Sequence, residues 1–106
     1  KTLDDLMRDQ IIHFIKIDVE GGELDVLNGA IDIIRKNKPF IIFEFGVGAS
    51  NYYNSTPEKM FSLLCNEGGL KISLLKSFVH SKSPLTAAEF KNEYETQKEY
   101  YFIAHP

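Results

Sequence analysis

Four apolar segments dominate the hydrophobic pattern of this chain. Residues 11–18 (IIHFIKID) and 40–45 (FIIFEF) are near-continuous apolar runs that end in acids. Such runs are typical of strands buried on both faces of a parallel sheet. Leu70, Ile72 and Leu74 alternate with polar residues, and residues 99–106 (EYYFIAHP) close the chain. The pattern therefore predicts four strands.

Two helices are predicted in the first half of the chain. A short one follows Thr2, which is a suitable N-cap. The next covers residues 23–38 and ends before Pro39, which cannot continue a helix. We expect Gly29, inside this helix, to pack closely against the sheet. The apolar residues of the predicted helix over 23–38 recur at helical spacing and are Leu24, Leu27, Ile31 and Ile34.

The second half carries one clear helix and a long polar segment. Thr56 and Pro57 are typical of an N-cap and a first helical position, and Gly68 is a suitable stop. Residues 81–98 predict a surface loop with one helical turn from Thr86. Because strands alternate with helices, the order predicts an α/β domain whose sheet is mainly parallel. The last two strands lack a full crossover helix between them, which favours an antiparallel pair.

Composition excludes several classes of function. The 106 residues are 43% hydrophobic and carry a net charge of −3, with acids and lysines interspersed. One small domain fits this length, and nucleic-acid binding would need a basic surface that the chain lacks. No apolar run approaches the roughly 18 residues of a membrane span. The single cysteine, Cys65, is expected to be a small core residue, and it fits a reducing, cytoplasmic location.

The candidate chemistry lies where the first two strands end. Side chains alternate along a strand, so Lys16, Asp18 and Glu20 are expected to point the same way, and Glu44 ends the next strand. Ligands of open α/β sheets bind beyond the carboxyl ends of the strands. These acids would accept a substrate proton, bind hydroxyls or hold a cation. The alternative is that acids at this turn only complement a helix N-terminus, which is the favoured interpretation for Glu23.

The residues that follow each strand suit a turn and a pocket wall. Gly21 and Gly22 permit a sharp turn, although neither glycine segment fits the dinucleotide-binding fingerprint. Tyr52 and Tyr53 lie in a polar loop and are candidate substrate-binding residues. His13 is expected to be a core or edge histidine. No serine lies in a nucleophile-elbow context, so acyl transfer has no support.

Several segments together resemble the FkbM-type family of S-adenosylmethionine-dependent methyltransferases. The most specific is FIKIDVEGGELDVLNGA at residues 14–30, followed by KPFIIFEF at 38–45. TLDDLM, NEGGLKISLL and YYFIAHP resemble further family segments, so the resemblance spans nearly the whole chain. It implies the C-terminal half of a class I, Rossmann-like methyltransferase sheet, mainly parallel with an antiparallel last strand.

The resemblance also implies roles for the strand-end residues. Asp18 matches the acid that lies beside the methyl acceptor and near the cofactor, with Glu20 next to it and Lys16 in the same motif. Family members of this kind methylate hydroxyl oxygens on sugars or natural products. An acid there would orient the hydroxyl and help to remove its proton.

One part of the family pattern is not among these 106 residues. The glycine-rich loop that cradles the cofactor's methionine portion and the acid that holds its ribose would lie upstream of residue 1. We therefore expect a C-terminal half-domain that binds S-adenosylmethionine poorly by itself. The strand at 11–18 would then expose an apolar edge, which is expected to pair with another chain, as in a homo-oligomer, or to be covered in some irregular way.

Two other classes of function stay open on the sequence alone. One is a non-catalytic α/β binding or assembly module whose strand-end acids bind a cation or a partner. The other is a carboxylate-based metal hydrolase, which has weak support because the histidines lack metal-ligand spacing.

Overall fold

A computed structural model describes residues 2–7, 9–17, 22–45, 56–78, 80, 83–96 and 101–106. Its strands are β1 (Phe14–Ile17), β2 (Phe40–Glu44), β3 (Lys71–Leu74) and β4 (Tyr101–His105). Its α-helices are α1 (Leu3–Met7), α2 (Glu23–Asn28), α3 (Ile31–Asn37), α4 (Pro57–Phe61), α5 (Leu75–Phe78) and α6 (Ala87–Thr96). Helix α4 continues as a π-helical segment, Ser62–Glu67.

The four strands form one mixed sheet in the order β1-β2-β4-β3. β1 and β2 are parallel, as predicted, while β4 is antiparallel to both β2 and β3. β1, β2 and β3 therefore share one direction. The expectation of a mainly parallel sheet is borne out for one pair of neighbours only, because the reversed last strand is inserted between β2 and β3.

Most of the core lies on one face of the sheet. Ile41, Phe43 and Phe102 are fully buried there, against apolar side chains of α2, α3, α4, the π-helical segment and α6. Aromatic rings fill the centre: Phe90 of α6 meets Phe102 edge to face with centroids 4.9 Å apart, and Phe45 stacks on Phe90 at 5.9 Å. Burial of such rings is the main favourable term holding the helices on this face.

The opposite face is covered in part by the short helix α5. The ring of Phe78 in α5 lies 4.7 Å from that of His105 in β4 and 6.2 Å from that of Phe40. Beneath it, His105 Nε2 and the hydroxyl of Ser73 share a buried hydrogen bond of 2.9 Å. The predicted burial of β1 on both faces is wrong, because β1 is the edge strand; Phe14 is 55% exposed and Ile11, before the strand, 75%.

Two of the predicted helical segments differ from the structure. The single helix over 23–38 is divided at Gly29 and Ala30 into α2 and α3. A side chain at Gly29 would meet Thr2, not the sheet, at 3.1 Å. The loop predicted over 81–98 contains the ten-residue helix α6, whose start is closed by reciprocal hydrogen bonds between Thr86 and Glu89.

The other helix starts agree with their predicted caps. The hydroxyl of Thr2 accepts from the backbone N–H of Asp5 at 3.1 Å, and that of Thr56 accepts from Lys59 at 3.2 Å. Pro57 occupies the first position of α4. In the described part of the chain, no helix has the length and apolar character needed to cross a membrane.

Candidate active site

The carboxyl ends of β1 and β2 meet at one edge of the sheet. Lys16 is in register with Ile42, and Ile17 with Phe43. Because side chains alternate, Lys16, Ile42 and Glu44 share the face of the sheet opposite the main core. The structure therefore brings together Lys16 and Glu44, two of the side chains that the sequence placed at a shared strand end.

A cleft of about 280 Å³ opens at this edge. Its wall includes the ammonium-bearing Lys16 and the half-buried Glu44, with Ile42 and Leu75 supplying apolar surface. Ile17 and Phe43 complete the strand side, and Tyr101 of β4 lines the cleft as well. Charged and apolar groups thus face one small concave space, which is the usual character of a ligand site.

Tyr101 was not anticipated from the sequence as a site residue. It is paired with Glu44 across the antiparallel β2–β4 ladder, and its side chain is 53% exposed. Its place in the cleft depends on β4 lying beside β2. The one indication of this role in the sequence is a tyrosine near the start of the last predicted strand, directly after a polar segment.

The polar groups of this cleft are available to a ligand. In the described part of the chain, the side chains of Lys16 and Glu44 and the hydroxyl of Tyr101 make no hydrogen bond or ion pair. An ammonium, a carboxylate and a phenol can together donate to and accept from the hydroxyl groups of a bound molecule.

Four of the predicted site residues lie outside the described residues. These are Asp18, Glu20, Tyr52 and Tyr53. Their roles stay predictions. Glu23, by contrast, is the first residue of α2, as its interpretation as a helix N-terminal acid required, and it is only 3% exposed.

The chain matches a family model described as the methyltransferase FkbM domain, over residues 1–70 of 106. The chain belongs to this family. The matched region contains β1, β2 and the helices between them, and with them Lys16 and Glu44. Membership supports methyltransferase activity and confirms the resemblance drawn from the sequence. No curated protein and no solved structure matches the chain.

Among the described residues of this FkbM-family chain, the histidines and the cysteine lie apart from the cleft or serve the fold. His13 and His80 are exposed, and His105 is engaged with Ser73. Burial raises the pKa of the half-buried Cys65 thiol to about 11. Within the residues that the structure describes, no three His, Cys, Asp or Glu side chains come together at a spacing that would hold a metal ion.

Proposed function

We propose that this chain is the acceptor-binding half of an S-adenosylmethionine-dependent methyltransferase that acts on a hydroxyl oxygen of a sugar or natural product. One observation carries the proposal. Lys16 and Glu44 line a cleft at the carboxyl ends of two parallel neighbouring strands, inside the region that matches the methyltransferase FkbM domain. Open α/β sheets bind their ligands at this edge.

The polar residues of the cleft would make different hydrogen bonds to the methyl acceptor. Lys16 donates hydrogen bonds to acceptor oxygens, and Glu44 accepts from acceptor hydroxyls. In this proposal Tyr52 and Tyr53, from the segment that follows β2 in the sequence, add to the acceptor site. Holding the acceptor in one orientation supplies much of the rate gain in a transfer between two bound molecules.

The proton of the acceptor hydroxyl needs a base. Asp18 comes directly after β1 in the sequence, and strand alternation predicts it on the same side as Lys16, so we propose its carboxylate as the base, with Glu20 next to it. The hydroxyl oxygen would form a bond to the methyl carbon of bound S-adenosylmethionine while the bond from that carbon to the sulfonium sulfur breaks and its electron pair stays on sulfur. The proton of the hydroxyl would pass to the Asp18 carboxylate. By its proposed position, Asp18 also borders the cofactor.

In this proposal the described residues serve the acceptor. Neither glycine segment of the sequence fits the dinucleotide-binding fingerprint, and β3 passes directly into α5. S-adenosylmethionine would supply an electrophilic methyl group when bound. We propose that the loop and the ribose-binding acid that hold it belong to a preceding half of the domain.

Methyl transfer by a version of the chain extended upstream tests this function. Labelled S-adenosylmethionine would be offered with a panel of methyl glycosides and hydroxylated ring compounds. Asp18→Asn is expected to lower kcat by about 10²–10⁴-fold, because the variant keeps the shape but loses the base. Asp9→Asn is the matched control, since Asp9 is exposed and precedes β1 at the strand's other end.

Two results would contradict the proposal. One is the absence of label from every member of the panel when the extended chain binds the cofactor. The other is an Asp18→Asn variant that transfers methyl groups as fast as the Asp9→Asn control.

A further inference from the structure

The aromatic ring of Tyr101 lies outside the hydrophobic core. Many of the phenylalanines lie in the core, where Phe43 stacks on Phe102 with centroids 5.7 Å apart. Tyr101, in contrast, is 53% exposed and lines the cleft that holds Lys16 and Glu44. A half-exposed ring stabilises the fold less than a buried one. We therefore consider what the Tyr101 ring would contact when a ligand occupies the cleft.

The register puts the Tyr101 side chain beside that of Glu44. The two residues are direct partners in the antiparallel β2–β4 ladder. Cβ atoms of such partners are about 4.5–5.5 Å apart, so one bound hydroxyl can reach both side chains. Ile42 and Leu75 line the same cleft and give it an apolar surface beside these polar groups.

We propose that Tyr101 positions the methyl acceptor, and that the acceptor is a hydroxylated ring with one apolar face. The ring of Tyr101 packs against that face, and its hydroxyl hydrogen-bonds an acceptor hydroxyl that Glu44 also accepts from. Lys16 donates to an oxygen on the far side of the same ring. This assignment rests on the proposed function, and it makes Tyr101 a specificity-determining residue that lies beyond the family-matched residues 1–70.

The cleft's chemistry favours such a ring over an open-chain alcohol. An aromatic side chain gains most from a flat partner that covers it, whereas a flexible chain pays conformational entropy to lie along it. The two opposite charges suit a neutral molecule with several hydroxyls, because each charge then meets a group of the right polarity.

Probe binding to the 106-residue chain tests the proposal without any methyl transfer. The probe is methyl β-D-glucopyranoside, followed by saturation-transfer NMR. Tyr101→Leu is expected to weaken binding by about tenfold, which is the worth of one aromatic contact. Tyr101→Phe keeps the ring and loses the hydroxyl, so about a threefold loss is expected.

Phe14→Leu is the matched control. Phe14 is 55% exposed, lies on the same face of the sheet and does not line the cleft, so its replacement should leave probe binding unchanged. Equal losses for Tyr101→Leu and Phe14→Leu, or no saturation transfer to the probe at all, would overturn the proposal. Urea unfolding of each variant checks that the sheet is intact.

Kinetics of the upstream-extended chain separate this proposal from the function on which it rests. Tyr101→Leu should raise KM by about tenfold with a small change in kcat, because the contact is made in the ground state as well as the transition state. Methyl transfer that is insensitive to Tyr101→Leu would refute the role of Tyr101 and leave the function standing. Absence of transfer beside Tyr101-dependent probe binding would refute the function and leave the binding role standing.

Discussion

At the scale of single residues, the environment of Cys65 decides the reactivity of its thiol. Cys65 lies in the π-helical segment, half-buried against the core, and desolvation raises its pKa from 9.0 to about 11. The thiolate is the reactive form, so burial suppresses reaction at neutral pH. Since Cys65 is the only cysteine, any labelling signal reports this site alone.

We predict that a thiol reagent labels the native chain about tenfold more slowly, or slower still, than the urea-unfolded chain near neutral pH. Between pH 9 and about 11 the native thiol keeps a proton that the unfolded thiol loses. The free energy of unfolding should therefore fall as pH rises through this window, and Cys65→Ser should remove that part of the slope. Native and unfolded chains that label equally fast would contradict the assignment.

Helix caps show how far single residues can be interpreted from the sequence. Thr2 and Thr56 were predicted as caps because their partners lie three positions ahead in the chain. Asp4 also caps a helix: its carboxylate accepts from the backbone N–H groups of Asp32 and Ile33 at 3.1 and 3.0 Å. That role was not predicted, since the partners lie 28 and 29 positions away and meet only in the folded chain.

At the scale of elements, Gly68 lies where α3 and the π-helical segment leave no room for a side chain. A Cβ atom at Gly68 would lie 2.7 Å from the carbonyl oxygen of Leu64 and 2.8 Å from Ile34 Cγ2. The same carbonyl-rich end receives a hydrogen bond of 2.6 Å from Lys38 Nζ to the oxygen of Gly68. Backbone and a buried isoleucine cannot move aside at low cost.

We predict that Gly68→Ala lowers the free energy of unfolding by about 1–3 kcal/mol, as overpacking of a filled site does. Gly29→Ala is the matched control. There the nearest atoms belong to the Thr2 side chain at 3.1 and 3.2 Å, near the start of the chain, so a change within about 1 kcal/mol is expected. Urea denaturation measures both, and equal effects would contradict this account of the α3 contact.

Element boundaries followed the sequence where local chemistry determines them. The residues Thr86-Ala-Ala-Glu89 form a capping box that determines the start of α6. The polar residues after it nevertheless suggested a loop. No comparable capping motif in the sequence predicts the division between α2 and α3. Their apolar faces keep helical spacing across Gly29, so periodicity alone predicts one helix.

At the scale of the whole molecule, the order of the strands determines which residues share the cleft. The sequence predicted that the acids Asp18, Glu20 and Glu44 would converge, because parallel neighbours end at one edge. Of these acids only Glu44 is among the described residues, and it shares the cleft with Lys16. The arrival of Tyr101 depends on β4 being inserted between β2 and β3. The position of β4 depends on long-range packing, since it buries Phe102 and Ala104. A local sequence pattern does not predict it.

Titration with S-adenosylmethionine tests the central claim, that this chain is the acceptor half of a two-part methyltransferase domain. The titration would compare the 106-residue chain with a version extended upstream by roughly another half-domain. Binding by the extended chain, and none by the shorter chain at the same concentrations, is the result we predict. Equal binding by both chains, or binding by neither, would contradict the claim.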